Sequence, residues 1–167
     1  MKIFVGADHA GFGLKSKLVP FLVSLGYEVE DKGAHEYNDG DDYPDFVIPV
    51  AREVAMHPNE VKGIILGGTG QGEAMCANRV PGVRAAIFYG EAIPEEAVDA
   101  KGRKSEDPYE IVKLARLHNN ANILSIGVKE YVGRANEIEV DTIFELKELV
   151  AESYDQKKVS VTMLNNF

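Results

Sequence analysis

A hydroxyl and a carboxylate stand beside a run of glycines in the middle of this chain. The segment 67–73 reads Gly-Gly-Thr-Gly-Gln-Gly-Glu, an apolar run at 64–66 precedes it, and helix-favouring residues follow. The pattern predicts a buried strand, a glycine-rich loop and the start of a helix. Free backbone amides in such a loop and at a helix start favour an anion, whether a phosphate, a carboxylate or a developing oxyanion.

Two side chains of this loop have a chemical interpretation. Thr69 places a hydroxyl inside the loop, and Glu73 places a carboxylate at the predicted helix start. Glu73 is either a first-turn acid that stabilises the helix or a general base beside a bound carbonyl or alcohol. The residues alone leave both interpretations open. The glycine spacing matches neither a P-loop nor a dinucleotide fingerprint, so a nucleotide-binding module is the poorer hypothesis.

Strand and helix patterns alternate along the chain and position this loop. Apolar runs predict strands at 3–5, 27–31, 64–66, 84–89 and 122–126, and helical patterns cover 14–25, 45–56 and 135–151, although Pro20 argues mildly against the first helix. This order predicts an α/β fold, a Rossmann-like three-layer sandwich with a parallel sheet and helices on both faces. Ligands in such folds bind beyond the carboxyl ends of the strands.

Further polar residues lie in the connecting segments. Asp8 and His9 follow the first strand, Tyr43 precedes a helix, and His118 and Asn119 lie just before the strand at 122–126. We expect these segments to converge with the glycine loop on one crevice. Singly, each histidine is also explained as a surface or helix-terminal residue.

Composition narrows the class of protein. The 167 residues carry 27 acidic and 18 basic side chains, a formal net charge of −9, which argues against a general nucleic-acid or anionic-membrane surface. Cys76 is the only cysteine, which suits a reducing compartment, and we expect it to pack a helix rather than act as a nucleophile. The first residues enter a strand pattern without a signal-peptide layout, so we expect a cytoplasmic protein.

Four motifs in order resemble one enzyme family. They are 5–12 (Val-Gly-Ala-Asp-His-Ala-Gly-Phe), 42–45 (Asp-Tyr-Pro-Asp), the loop 67–79 with 80–86 (Val-Pro-Gly-Val-Arg-Ala-Ala), and 117–122 (Leu-His-Asn-Asn-Ala-Asn). Together they resemble ribose-5-phosphate isomerase B and its relatives, which include the galactose-6-phosphate isomerase subunits. The resemblance covers residues 1–150 and implies one sugar-phosphate isomerase domain.

The resemblance implies the chemistry and the residues that perform it. The family interconverts aldose and ketose phosphates through an enediolate, without a metal or organic cofactor. One branch uses a cysteine at the position of Gly67 as base; a second branch has glycine there and a glutamate further on, which Glu73 matches. Thr69 and the loop amides match the groups that bind the reacting oxygens, and His118 matches the histidine that opens the furanose ring. Asp8 matches an acid that binds a hydroxyl, and His9 matches a residue next to the phosphate. The other residues expected to bind substrate are Tyr43, Gly68, Gly70, Gly72, Asn78 and Asn119.

Three departures from the family pattern concern substrate selection and assembly. The family's phosphate clamp uses an arginine after the His-Asn strand and a basic C-terminal cluster. This chain has Lys129 at the first position and Lys157 and Lys158 in the tail, with Arg134 as a possible substitute. A polar insertion at about 90–109 lengthens the link after the fourth strand. It is either a lid over the site, a contact with a partner, or a surface insertion without a function. Third, the tail at 159–167 ends early and is rather apolar. The resemblance implies that the tail, 151–167, contacts a partner subunit and that sites are completed between two subunits, so we expect a homodimer or a dimer of dimers.

The sequence therefore predicts a cofactor-independent aldose–ketose isomerase, with ribose 5-phosphate and ribulose 5-phosphate as the first pair. The alternatives are an isomerase of another tetrose, pentose or hexose phosphate, and a non-catalytic sugar-phosphate-binding protein if Glu73 is only a helix-start acid. The missing cysteine favours this second alternative. The presence of both a candidate base and a candidate ring-opening histidine argues against it.

Overall fold

The computed structural model describes residues 1–129, and the predictions for 130–167 lie outside the described residues. Five strands and four helices alternate in this part of the chain. In order they are β1 (Lys2–Ala7), α1 (His9–Ser24), β2 (Glu28–Asp31), α2 (Pro44–Met56), β3 (Val61–Gly67), α3 (Gln71–Ala77), β4 (Ala85–Phe88), α4 (Glu110–Asn119) and β5 (Ile123–Gly127).

The five strands form one parallel sheet in the order β2-β1-β3-β5-β4. All seven residues of β3 are buried, as expected for the central strand of a sheet that is covered on both faces. β1 and β5 flank it, with Ala7 beside Leu66 and Gly127 beside Gly67. The carboxyl ends of β1, β3 and β5 therefore meet at one edge of the sheet.

Each face of the sheet carries its own apolar core. On one face Ile64 and Leu66 pack with Leu18 of α1 and Val112 of α4. On the other face Ile65 belongs to a cluster with buried residues of α2 and α3. Alternate residues of β3 point to opposite faces, so a single strand supplies both cores. The predicted three-layer α/β sandwich is confirmed for the described residues.

One helix differs from its predicted bounds, and another is short. α1 begins at His9 rather than near residue 14, because the Asp8 side chain caps it by accepting from Ala10 N and Gly11 N. Pro20 lies inside this helix. α3 has only seven residues. Any anion bound here would therefore be stabilised mainly by the loop amides, and less by the dipole of this short helix. The predicted helix at 135–151 lies outside the described residues.

The link at 90–109 contains no helix or strand, and most of its residues are exposed. Its two ends are joined, since Ala92 N donates to Pro108 O at 2.9 Å and the Tyr109 hydroxyl donates to Glu91 at 2.7 Å. The buried Glu110 at the start of α4 accepts from Arg103 at 2.5 Å. No helix within residues 1–129 is long and apolar enough to cross a membrane.

Candidate active site

The glycine loop turns sharply between β3 and α3. Gly70 has a φ of 73°, a left-handed conformation that favours glycine. A β-carbon there would lie 2.9 Å from Gly127 N, so the loop also packs too closely on β5 for a side chain. Ser125 secures this contact from β5 by donating to Gly70 O at 2.7 Å. The loop therefore packs directly against β5 at the carboxyl edge of the sheet.

Glu73 lies beneath this loop. Glu73 is 4% exposed, and its Oε2 has no hydrogen-bond partner among residues 1–129. Burial raises the pKa of the Glu73 carboxyl, and the negative charge of Asp8 raises it further. Hydrogen bonds from the backbone amides of Glu73 and Gly70, and the positive charge of Lys129, lower it in part. A carboxylate with a raised pKa and an unused oxygen is better suited to accept a proton than an exposed helix-start acid.

The absence of a side chain at Gly67 makes room for Glu73. A β-carbon on Gly67 would lie 1.7 Å from Glu73 Oε1 and 2.3 Å from its Cδ. The carboxylate thus fills the space above the last residue of β3, where any other residue would place its side chain. This explains physically how Gly67 and Glu73 occur together.

Lys129 and Tyr43 border the loop on either side. Lys129 N donates to Gly68 O at 2.9 Å, and a β-carbon on Gly68 would lie 3.0 Å from Lys129 Cε and 3.4 Å from its Nζ. The Tyr43 ring lies over Gly72, with Cζ 3.1 Å from the position of a β-carbon there. An ammonium group and a phenol ring therefore stand beside the backbone of the loop.

Asp8 and Thr69 also lie at this edge, and each side chain accepts hydrogen bonds from nearby backbone amides. Asp8 is 6% exposed and accepts from Ala10 N at 3.0 Å and Gly11 N at 3.1 Å through one oxygen, Oδ1. Thr69 Oγ1 accepts from Gln71 N at 3.3 Å. Its hydroxyl hydrogen remains available as a donor.

His9 has a hydrogen-bond partner, Asp41, that the sequence did not single out. Asp41 Oδ1 accepts from His9 N at 2.9 Å and lies 2.7 Å from His9 Nδ1. In the sequence Asp41 was one of several aspartates in the acidic segment 39–45, with nothing to distinguish it from its neighbours. Only the packing of the β2–α2 link against the start of α1 selects it.

His118 and Asn119 lie at the opposite edge of the sheet. They end α4, directly before β5 begins at Ile123, and both are exposed. Gly63 pairs with Ile123 and Gly67 with Gly127, so four residues of strand, about 13 Å, separate the two edges. Within one chain the expected convergence of His118 and Asn119 with Glu73 does not occur, because they precede a parallel strand whereas the loop follows one.

One further predicted residue, Asn78, has other surroundings. Asn78 bridges α3 and β4: its Oδ1 accepts from Ala85 N at 2.8 Å and its Nδ2 donates to Ala85 O at 3.1 Å. Its role as a substrate ligand remains a prediction. Lys157 and Lys158, like Arg134, lie outside the described residues.

Cys76 packs against the core on the α2 and α3 side. Burial raises the pKa of its thiol, and the charge of Glu73 raises it further, so the reactive thiolate is disfavoured. In residues 1–129 no group of three or more His, Cys, Asp or Glu side chains is arranged to hold a metal ion.

Comparison with known proteins identifies the relatives of this chain. A family model described as Ribose/Galactose Isomerase matches residues 3–101. Ribose-5-phosphate isomerase B of Mycolicibacterium paratuberculosis is 38% identical over 127 residues, which cover 76% of this chain and 68% of that protein. The protein of the same name from Escherichia coli K12 is 37% identical over 127 residues, 75% of this chain and 71% of that protein.

A solved structure has the same architecture. The crystal structure of ribose-5-phosphate isomerase B from Mycoplasma genitalium with bound ribulose-5-phosphate matches with a TM-score of 0.70 and 27% identity, covering 92% of this chain and 85% of that one. The resemblance seen in the four sequence motifs is confirmed by these matches. Because the family model spans more than half of the 167 residues and these relatives match most of their own length, the chain belongs to the ribose/galactose isomerase family.

Proposed function

We propose that this chain interconverts ribose 5-phosphate and ribulose 5-phosphate through an enediolate, with Glu73 as the base. The observation that carries the proposal is the Glu73 carboxylate, which is buried, has an unused oxygen and fills the space above Gly67 at the carboxyl edge of the sheet. The relatives named ribose-5-phosphate isomerase B support this choice of substrate pair.

The loop supplies the groups that the reaction needs. Glu73 removes the proton from C2 of the open-chain aldose, and the electron pair moves into the C1 carbonyl to form the enediolate. The loop amides and the Thr69 hydroxyl stabilise the negative charge on oxygen, which develops only as the proton leaves. Return of the proton to C1 and transfer of a proton between the two oxygens gives the ketose. One carbon is oxidised as its neighbour is reduced, so the reaction consumes no external reductant.

Two basic groups at the same edge suit the phosphate of the substrate. Lys129 lies over Gly68, and His9 begins α1 beside β1. We propose that both contact the phosphate, with Lys157 and Lys158 of the tail completing the clamp. A lysine offers a point charge rather than the two-pronged guanidinium of arginine, so orientation of the phosphate depends on several groups together.

Ring opening requires a group that a single chain does not bring to Glu73. His118 and Asn119 lie about 13 Å along the sheet from the loop. We propose that a second copy of the chain supplies them, in a homodimer or dimer of dimers whose contacts include the tail 151–167. A symmetric pair would form two equivalent sites, each with Glu73 from one copy and His118 from the other. The one cysteine and the sugar-phosphate substrate favour a cytoplasmic enzyme.

The shared site can be tested by mixing two inactive variants. Glu73→Gln and His118→Ala proteins are purified separately, then unfolded and refolded together. A mixed dimer contains one site with both native residues, so about a quarter of the wild-type activity should return after random pairing. If both residues acted within one chain, mixing would restore nothing.

The reaction itself is tested by solvent deuterium incorporation at C2, followed by NMR over aldose and ketose phosphates of four to six carbons. Exchange and conversion with ribose 5-phosphate would support the proposed substrate. Conversion of a different member alone would replace it with that sugar phosphate. Binding without exchange anywhere in the panel would refute catalysis and leave a sugar-phosphate-binding protein.

A further inference from the structure

The contact between His9 and Asp41 joins two segments that are 32 residues apart. His9 is the first residue of α1, directly after Asp8 at the end of β1. β1 lies beside β3, with Ala7 paired to Leu66, so His9 stands next to the start of the glycine loop. Asp41 belongs to the link between β2 and α2, which contacts the start of α1 at this edge.

Asp41 is a buried carboxylate whose ionisable partner is His9. Its side chain is 8% exposed. Among residues 1–129, its Oδ2 has no hydrogen-bond partner, and no Lys or Arg forms an ion pair with it. A buried carboxylate without a cation is costly, and the imidazole ring is the group positioned to supply the positive charge. The hydrogen bond with Asp41 raises the pKa of the His9 ring; burial opposes this, and the charge of Asp8 adds to it.

The same contact orients the ring. With Asp41 Oδ1 at 2.7 Å, Nδ1 carries a hydrogen that it donates inward. The His9 side chain nevertheless stays 37% exposed. Because Asp41 occupies Nδ1, Nε2 is the ring nitrogen left to contact a ligand. A protonated ring held in this way presents one N–H donor and a positive charge to the crevice.

We propose that Asp41 is a positioning residue: it turns Nδ1–H of His9 inward, leaves Nε2–H facing the crevice, and keeps the ring cationic to receive the phosphate of the substrate. This inference rests on the proposed function, because that function places a phosphate ester at this edge. Asp8 and Asp41 are the charged groups that act on the His9 ring among the described residues.

The arrangement makes phosphate binding depend on pH. A phosphate ester loses its second proton near pH 6, so it is doubly negative at neutral pH. The ring stays protonated until the pH passes its raised pKa, and above that pH the crevice loses one positive charge. Affinity for phosphate should therefore be highest between these two values and fall on the alkaline side.

The test is an NMR titration of the four histidines in the wild type, Asp41→Asn and Asp39→Asn, with inorganic phosphate as the ligand. His9→Gln assigns the His9 signal. Asparagine keeps an oxygen that can accept both hydrogen bonds but removes the charge. Asp39 is exposed, so Asp39→Asn changes the net charge equally without touching His9. His35, whose Nδ1 is 3.9 Å from Asp31, serves as an internal control in every sample.

We expect Asp41→Asn alone to lower the midpoint of the His9 titration. At a pH above both midpoints, phosphate should bind roughly tenfold more weakly for each unit of that shift, because the protonated fraction falls in proportion. In the active enzyme the KM for the sugar phosphate should rise at alkaline pH while kcat changes little. If Asp41 had a purely structural role, Asp41→Asn would change kcat as well as KM, and by the same factor at every pH.

An unchanged His9 midpoint in Asp41→Asn would overturn the proposal, and so would phosphate binding that leaves the His9 signal unmoved. Failure of the proposed function has a different signature. A wild type that converts no sugar phosphate would still show the difference in His9 midpoint and phosphate affinity between Asp41→Asn and Asp39→Asn.

Discussion

Glu73 Oε1 lies 1.7 Å from the point that a β-carbon on Gly67 would occupy. The carboxylate therefore replaces, in space, the side chain that other residues would place at the end of β3. Glu73, the seventh residue of the segment 67–73, places its carboxylate directly above the first residue of that segment. In the proposed reaction, this carboxylate and the loop amides act on the same substrate carbon and its oxygen.

Gly67→Ala should destabilise the protein by displacing Glu73. Because a new methyl group would overlap the carboxylate, we expect a cost of about 1 to 3 kcal/mol in the free energy of unfolding. In a Glu73→Ala background the same change should cost much less, which a double-mutant cycle by denaturant unfolding measures. Gly13→Ala, in α1 with nothing within 4 Å of the new β-carbon, is the control and should be neutral or stabilising. Equal costs in both backgrounds would contradict the steric argument.

Glu73→Gln should remove most turnover while sugar-phosphate binding persists. The amide fills the same space but cannot accept the substrate proton, and loss of a general base typically costs about 100- to 10,000-fold in rate. Isothermal titration gives the affinity and exchange of the C2 proton gives the chemistry. Glu60→Gln, at an exposed site, controls for the change in charge. Wild-type activity in Glu73→Gln would rule out the base assignment.

Removal of the Lys129 charge should shift the pH profile to higher pH. Glu73 acts as base only when ionised, so kcat should fall as the pH drops through its raised pKa, and Lys129 is one of the groups that hold this pKa down. In Lys129→Met the acidic limb of log kcat should therefore lie at higher pH, whereas Lys17→Met, an exposed lysine of α1, should leave it in place. An acidic limb that stays put or moves lower would show that Lys129 does not act on the base.

His118→Ala should impair cyclic substrates selectively. If His118 opens the furanose ring, ribose 5-phosphate turnover should fall while an open-chain tetrose phosphate, which has no ring to open, retains its rate. Comparison of kcat/KM for the two substrates measures this selectivity. His57→Ala, another exposed histidine, provides the control. An equal loss on both substrates would contradict a ring-opening role.

Lys62→Met should stabilise the fold at neutral pH. Lys62 is 8% exposed, and burial together with the charges of Arg116 and Arg84 lowers its pKa to about 8 from 10.5. Below pH 8 the lysine is protonated in both states, and the folded state bears the full penalty of about 3 kcal/mol. Between pH 8 and 10.5 the unfolded chain binds more protons than the folded one, so stability rises with pH and the penalty disappears.

Denaturant unfolding at pH 7 and at pH 10 checks this prediction. The advantage of Lys62→Met over the wild type should be largest at pH 7 and small at pH 10, and Lys17→Met should show no such trend. A constant difference, or a variant less stable at pH 7, would contradict the assigned cause.

The local pattern of the sequence was sufficient for the sheet, the loop and the candidate base. Apolar runs mark the strands because both faces of a parallel sheet are covered, and the glycines of 67–72 mark a backbone that packs too closely for side chains. Glu73 was recognisable as a candidate because it is adjacent to that loop in the chain. Such features depend on neighbours in sequence, so composition and spacing record them.

Only the tertiary structure decided how distant segments meet. The choice of Asp41 among similar aspartates depends on the packing of two segments 32 residues apart. The burial of Glu73 depends on the space left by Gly67, and the lowered pKa of Lys62 depends on its burial near Arg84 and Arg116. The position of His118 away from Glu73 follows from sheet direction, because a residue before a parallel strand lies at the edge opposite to a residue after one. None of these relationships has a period or motif, since each arises from packing between elements rather than within them.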